Sequence, residues 1–428
     1  MIKQHEKLLK DFLFFFFALF VFGSTFSIAL AQIALGVSLV LFLVFVYTTK
    51  YQPIIENLRL FYIFIGAYIF WMFLAGLFGD TPFKSILIMK EEWLFCIIPI
   101  GIYLMNRESY RQKLVVVFAA GVGLFALYGL LQFFTGVHWF KSVAPNPGPE
   151  LFYVIKGNFP SPMTFGNYFG TAAGFFAGVL AIGWMEMSKP LRWFYWAACA
   201  LAVAATLGSY NRGAILGLFV ALALLGILFN KKKVLIGTGI AFLIGAAVVV
   251  NSPEAKYRLS AHLAKELNPQ YEGGRVFIWN NALKIVSENP VFGVGQGNFR
   301  YEYEKLLPVD VEGIRKHVHA HNDFFNIAAI AGIPAALFFV GMWVTALSHF
   351  WRGFRQKKRF VGRRRHFVGA LIGSTVFLVS SLTEATFADE EVRQMLMFIW
   401  AVGLWQWFEE KSTQDSAEPT PVSGGKTS

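Results

Sequence analysis

Long apolar runs follow one another through most of this chain, and they limit its fold more than any other feature. Of its 428 residues, 56% are hydrophobic and 15% are charged. Soluble domains carry about 25% charged residues, and about 20 helical residues cross the roughly 30 Å hydrocarbon core of a bilayer. The sequence therefore predicts an all-α polytopic membrane protein.

The apolar runs predict about twelve transmembrane helices. They lie at roughly 11–30, 32–48, 60–78, 85–105, 114–135, 164–187, 193–209, 213–229, 234–250, 323–347, 367–383 and 392–409. The first two form a tight hairpin whose dividing point is open. The segment 85–105 either spans the membrane or lies partly in the interface, because Lys90-Glu91-Glu92 interrupts it.

Basic residues alternate between the loops in a way that predicts the orientation. Lys and Arg are concentrated in segments such as 189–192, 231–233 and 352–365, whereas the loop 383–391 is acidic. This pattern predicts cytoplasmic termini and two outward-facing polar loops, 136–163 and 251–322.

We predict four regions in the chain. Residues 1–250 hold about nine spans, and 251–322 form an external loop with an amphipathic helix. The remaining spans occupy 323–410, and 411–428 form a disordered tail.

The net charge of +12 does not indicate nucleic acid, because the basic residues sit in short loops where topology explains them. Cys96 and Cys199 both lie in apolar runs. Neither a disulfide nor a sulfur-based metal site is expected from them.

Two arginines are candidates for binding an anion. Arg212 follows Gly208-Ser-Tyr-Asn at the predicted outer end of a span, where it either snorkels to the interface or projects into a cavity. Arg275 begins a segment in which apolar residues recur at helical spacing, namely Val276, Trp279, Leu283 and Val286. The pattern predicts an amphipathic surface helix with Arg275 near its start, where a helix N-terminus favours an anionic ligand. The alternative is a surface arginine on a solvated loop.

The segment His317-Val-His-Ala-His-Asn322 ends the long polar loop directly before an apolar run. Three histidines at this spacing suggest zinc, but no cysteine supports such a site and Asp323 is the only adjacent carboxylate. We favour a single imidazole, His321, that acts as a general base or hydrogen-bonding group. The glycines of Gly293-Val-Gly-Gln-Gly297 predict a turn that returns the chain toward the membrane.

These motifs resemble those of the O-antigen ligase and polymerase superfamily. His321-Asn322 followed after nine residues by Gly332-Ile-Pro-Ala335 is similar to a family signature, although the family often has glycine where this chain has Ala335. Arg212-Gly-Ala-Ile-Leu216 looks like an Arg-x-x-x-Leu element. Gly274-Arg275 through Trp279 to Pro290, Gly293 and Gly295 is similar to the external-loop element.

The resemblance implies a glycosyltransferase of the GT-C type with a periplasmic lobe of short helices. It would act at the periplasmic face of the bacterial inner membrane. The donor would be a glycan on undecaprenyl diphosphate, and the acceptor of a ligase is a sugar hydroxyl of lipid A–core. The catalytic residues that carry over are Arg212, Arg275 and His321, with both arginines on the diphosphate. We name Tyr210, Asn211, Trp279, His319 and Asn322 as supporting residues, and we expect no metal and no cofactor.

Arginine binds phosphate oxygens bidentately and suits a departing diphosphate, and an imidazole can accept the proton of the attacking hydroxyl. We therefore expect an inverting, single-displacement transfer, while a role for His321 as hydrogen-bond donor to the diphosphate stays open. A polymerase that joins repeat units on the carrier, or an enzyme that transfers glycan to protein, would use the same residues. A transporter is the alternative from another class, but it predicts charges at mid-span positions and related halves.

Overall fold

The computed structural model describes residues 2–51, 58–139, 153–251, 253–271, 273–307, 318–355 and 364–404. Within these ranges the chain forms helices and turns, with no strand. The α-helices are α1 (Ile2–Gly23), α2 (Ile28–Thr49), α3 (Arg59–Phe78), α4 (Pro82–Ile88), α5 (Ile97–Met105), α6 (Glu108–Thr135), α7 (Pro162–Gly183), α8 (Lys189–Gly208), α9 (Arg212–Leu228), α10 (Lys232–Asn251), α11 (Pro253–Leu267), α12 (Arg275–Glu288), α13 (Phe299–Lys305), α14 (Asp323–Arg355), α15 (Arg364–Ser381) and α16 (Glu390–Leu404). The predicted all-α class is confirmed for these residues.

Six of these helices, α2, α3, α6, α7, α8 and α14, are long and apolar enough to cross a membrane among the residues that the structure describes. This agrees with a polytopic membrane protein, while the count of twelve spans and the GT-C type stay predictions.

The division of the first hairpin differs from the expected one. Helix α1 ends at Gly23, and α2 begins after Ser27, whose hydroxyl accepts the Leu30 N–H at 3.4 Å. Ser27 is thus the N-cap of α2, so residues 28–30 belong to the second helix.

The doubtful segment 85–105 is broken rather than one continuous helix. Helix α4 ends at Ile88, a 3₁₀ helix covers Met89–Cys96, and α5 follows. Glu92 is buried in the 3₁₀ helix, where Arg393 of α16 donates to both of its carboxylate oxygens at 3.3 and 3.4 Å. The pairing compensates the burial of the Glu92 carboxylate, which would be costly without a partner.

The centre of the bundle is the close pair α7 and α15, which allows the residues after α15 to face the start of α9. Glycines make this approach possible. A Cβ at Gly178 would lie 2.7 Å from the Val368 carbonyl oxygen, and one at Gly217 of α9 would lie 2.6 Å from the Val376 carbonyl oxygen. Small residues of this kind let helix backbones approach closely in membranes.

The predicted external loop contains three helices, α11, α12 and α13. Helix α12 begins at Arg275, as the sequence pattern predicts, but its buried face differs in part from the expected one. Ile278, Ala282, Ile285 and the predicted Val286 are buried, whereas the predicted Leu283 is 47% exposed. The helix packs against α14 and a small separate core. This packing therefore decides which face of α12 is buried, and the helix is not simply a surface helix as the sequence pattern suggested.

The glycine-rich segment forms a turn against the kinked helix α14. Gly332 interrupts α14 with φ +81°, and a Cβ there would lie 2.0 Å from the Val291 carbonyl oxygen. Val294 N–H donates to the Ala329 carbonyl oxygen, and Gly295 N–H donates to that of Ile330, both at 3.0 Å. The turn therefore supplies hydrogen-bond partners for the carbonyl groups that the kink leaves without a partner in the helix.

The predicted tail 411–428 lies outside the described residues.

Candidate functional site

Three helix N-termini meet at one turn, Leu382–Glu384, which follows α15. Arg275 at the start of α12 donates through Nε to the Thr383 carbonyl oxygen at 3.0 Å. Asn322, just before α14, donates to the Leu382 carbonyl oxygen at 3.0 Å. At the start of α9, a Cβ on Gly213 would lie 2.7 Å from Thr383 Oγ1. The structure thus brings together the chain segments that carry Arg212, Arg275 and His321, and each places the positive end of a helix there.

Arg275 is held by carboxylates from two directions. Its Nη2 donates to Glu384 Oε1 at 2.6 Å, and its Nη1 lies 3.8 Å from Glu266 Oε2 on α11. Glu266 also accepts the backbone N–H of Arg275 at 2.9 Å, which satisfies one of the free donors at the N-terminus of α12. The Arg275 side chain retains 23% of its exposure, so the guanidinium is oriented but still accessible.

Glu384 also contacts the predicted base. His321 Nδ1 lies 3.0 Å from Glu384 Oε2, and an ionised carboxylate can only accept a hydrogen bond. The neutral imidazole therefore carries its proton on Nδ1 and its lone pair on Nε2. A carboxylate that orients a histidine in this way also stabilises the imidazolium that forms when the ring accepts a proton.

The ionised state of Glu384 is favoured by its neighbours. Burial by itself would raise the pKa of this carboxyl. The hydrogen bond from His321 and the positive charge of Arg275, with smaller effects of His321 and His319, lower the pKa below its ordinary value of 4.5. Glu384 is therefore a carboxylate throughout the neutral range.

The backbone at His321 adopts a left-handed conformation, with φ +49°. Few residues other than glycine occupy this region, and such positions cluster at functional sites. His319 stabilises the turn, because its Nδ1 accepts the His321 N–H at 3.3 Å and the two rings pack edge to face. Asn322 caps α14 by accepting the N–H groups of Phe324 and Phe325. These two supporting residues therefore fix the position of His321.

Arg212 is the exposed member of the site, at the first position of α9. The preceding Asn211 accepts the Ala214 N–H at 3.1 Å and donates to the Met163 carbonyl oxygen at 2.8 Å. Tyr210 has φ +55° and is 41% exposed. Asn211 thus anchors the turn beneath Arg212. Within the described residues, the Arg212 side chain makes no hydrogen bond or ion pair, so its guanidinium can receive an external anion.

Trp279 lies one turn of α12 beyond Arg275, but its side chain packs against α14. Its ring packs edge to face against Phe325 at 6.0 Å, and its buried indole N–H has no partner among the described residues. Trp279 therefore serves the packing of α12 on α14. Of the other histidines in the motif, His317 lies outside the described residues.

The sequence motifs did not identify Glu384, Glu266 or His262. Glu384 belongs to the acidic loop 383–391, which served only as evidence of topology, although this loop and Arg212 were expected on the same side. His262 and Glu266 lie four residues apart on α11, with His262 Nε2 3.5 Å from Glu266 Oε1. Their one-turn spacing was visible, but nothing in the sequence indicated that α11 packs beside Arg275.

A further carboxyl near the turn has an altered pKa. Asp389 accepts a hydrogen bond from Thr164 Oγ1 at 3.0 Å, and burial raises its pKa to about 7.

Among the residues that the structure describes, no group of three His, Cys, Asp or Glu side chains is arranged to hold a metal ion.

The chain matches a known protein family. A model of the family described as O-antigen ligase matches residues 197–340. The matched segment contains Arg212, Arg275 and His321 together with the glycine turn and the kink of α14. No curated protein sequence matches the chain.

Proposed function

We propose that this chain, which belongs to the O-antigen ligase and polymerase superfamily, is a ligase that transfers a glycan from undecaprenyl diphosphate to a sugar hydroxyl of lipid A–core. The family supports an activity of the ligase or polymerase type in general. The donor, the acceptor and a site at the periplasmic face of the inner membrane are part of the proposal. The observation that carries it is the convergence of the chain segments that hold Arg212, Arg275 and His321 on the turn Leu382–Glu384.

The diphosphate would bind between the starts of α9 and α12. Arg212 is exposed there, and Arg275 is accessible and oriented by Thr383 and Glu384. Two guanidinium groups and two helix N-termini provide donors for phosphate oxygens. Their contribution grows during the reaction, because negative charge accumulates on the diphosphate as it departs.

His321 would act as the general base. The acceptor hydroxyl oxygen attacks the anomeric carbon of the donor, and the bond from that carbon to the phosphate oxygen breaks. The hydroxyl proton passes to Nε2 of His321, and the bonding electron pair leaves with the diphosphate, where the arginines stabilise the charge. The contact between Nδ1 and Glu384 at 3.0 Å favours this role over hydrogen-bond donation, because it leaves the lone pair of the neutral ring on Nε2. Attack opposite the leaving group inverts the anomeric configuration.

A transfer assay tests the proposal. Purified protein is incubated with an undecaprenyl-diphosphate glycan and lipid A–core in the presence of EDTA, and the products are separated by gel mobility. We expect glycan on lipid A–core, and we expect Arg212→Ala and Arg275→Ala each to lower the rate about 10²- to 10³-fold, as loss of one charge-stabilising donor does. Arg300→Ala, which removes an exposed ion pair with Glu304 on α13, is the matched control.

Full activity in both arginine variants would exclude the proposed diphosphate site. Lengthening of the carrier-linked glycan instead of transfer to lipid A–core would identify a polymerase. Loss of activity in EDTA that zinc restores would contradict the metal-independent mechanism.

A further inference from the structure

Helix α11 places a second histidine beside the two arginines. Its C-terminal end packs so closely on α12 that a Cβ at Gly274 would lie 2.3 Å from the Lys265 carbonyl oxygen. Glu266 consequently reaches the Arg275 backbone at 2.9 Å, and His262, one turn earlier, lies 3.5 Å from Glu266. The His262 side chain is 34% exposed, so a ligand can reach it.

We propose that His262 is a third ligand of the donor diphosphate and that it becomes protonated when the donor binds. The inference rests on the proposed function, since it concerns the same diphosphate site. In the imidazolium form, Nε2–H faces Glu266 and Nδ1–H donates to a phosphate oxygen. Glu266 then positions the ring in the same way that it positions the start of α12.

The balance of fixed charges supports this proposal. Arg212 and Arg275 contribute two positive charges, and Glu266 and Glu384 contribute two negative charges, so these groups compensate one another before a ligand arrives. Both carboxylates contact Arg275 directly. A glycan-linked lipid diphosphate brings two ionised oxygens, which leaves net negative charge in a partly buried site. Such charge favours the protonated form of a neighbouring histidine.

The surroundings of His262 determine the sign of the pH effect. Burial lowers its pKa below the ordinary value of 6.5, as do the charges of Arg212 on α9, Arg275 on α12 and Lys265 on α11, whereas Glu266 on α11 raises it. The histidine is therefore neutral near pH 7 without ligand. An anion raises the pKa of His262, so binding takes up a proton. The affinity for the diphosphate is highest below the lowered pKa of the free protein and decreases as the pH rises through the pKa of the complex.

Proton uptake measures this coupling without an activity assay. The full-length protein in detergent is titrated calorimetrically with undecaprenyl diphosphate near pH 6.5, in two buffers of different ionisation enthalpy. The diphosphate itself exchanges protons, so the informative quantity is the difference between variants. We expect His262→Gln to bind with an uptake lower by a substantial fraction of one proton. Its dissociation constant near pH 6 should be roughly tenfold higher, as expected for one charge-assisted hydrogen bond.

Two further variants test the assignment. His5→Gln, at an exposed position of α1, is the matched control and should behave as wild type. Glu266→Gln removes the charge that raises the pKa of His262, so the midpoint of the affinity against pH should move to lower pH.

The outcomes separate this inference from the proposed function. Equal proton uptake and equal affinity in wild type and His262→Gln would overturn the role of His262, while binding that depends on Arg275 would still support the diphosphate site. Failure of the wild-type protein to bind undecaprenyl diphosphate between about pH 5.5 and 8 would overturn both.

Discussion

Glu384 is the residue that connects the candidate base to the candidate phosphate ligand. One of its oxygens lies 2.6 Å from Arg275, and the other lies 3.0 Å from His321. Because the pKa of Glu384 is lowered in the folded protein, the stability from these contacts is present above its ordinary pKa and is lost as the pH falls through the lowered value. Changes in activity near neutral pH should therefore not arise from Glu384.

Glu384→Gln tests the contribution of this charge. The amide keeps the size of the side chain, but it no longer stabilises the imidazolium of His321 or fixes its tautomer. We expect kcat to fall about 10²- to 10⁴-fold, the range of general-base catalysis, with a smaller change in the donor KM. Steady-state transfer rates measured against donor concentration check this, with Glu304→Gln on α13 as the control. An unchanged kcat would contradict the role of Glu384.

At the scale of elements, a glycine at position 213 allows the start of α9 to approach the turn after α15 closely. A Cβ at position 213 would lie 2.7 Å from Thr383 Oγ1 and 3.1 Å from Ser380 Oγ. Gly213→Ala should push Arg212 away from the turn and reduce the affinity for the donor several-fold. The steric conflict lowers the stability, but alanine has the higher helix propensity, by about 1 kcal/mol. The two effects oppose each other, so the thermal stability should change little.

The matched control is Gly66→Ala in α3, where a Cβ would meet nothing within 4 Å. The donor KM and the unfolding temperature of both variants are measured together. A Gly213→Ala protein with wild-type donor KM would show that the contact with Thr383 does not position Arg212.

The sequence predicted elements better than their contacts. The start of α12 at Arg275 followed from helical periodicity, and so did the burial of Val286, but the rest of the buried face did not, because the packing against α14 decides it. The candidate site was proposed from Arg212, Arg275 and His321, whose motifs are local, and that assignment stays a prediction. Glu384 and Glu266 were missed because their role depends on the packing of α15 and α11, and periodicity carries no information on such packing.

At the scale of the whole molecule, composition established the membrane class but not the number of spans. The segment 85–105 shows why. Its hydropathy resembles that of a span, but Glu92 finds a buried partner in Arg393, 301 residues away, and the helix breaks around the pair. A count based on hydropathy cannot anticipate such a partner.

The predicted orientation can be tested with two matched substitutions, after Cys96 and Cys199 are replaced by alanine. Ser260 on α11 and Ser188 before α8 are both exposed. Ser260→Cys should react with a membrane-impermeant maleimide from the periplasm. Ser188→Cys should react only after the inner membrane is made permeable, because the positive-inside rule places its loop in the cytoplasm. The reverse pattern of labelling would place the candidate site in the cytoplasm.

On the proposed function, the position of the turn Leu382–Glu384 near the end of the chain has a consequence for the timing of activity during synthesis. Arg212, Arg275 and His321 are translated and inserted earlier, but the groups that hold Arg275 and orient His321 come from this later turn. Until α15 has packed on α7, the imidazole lacks the Glu384 carboxylate and the guanidinium lacks its hydrogen bonds to Thr383 and Glu384. On the proposed function, a nascent chain that already contains all three motif residues would therefore still be inert, and the site would be complete only once the turn after α15 has been added.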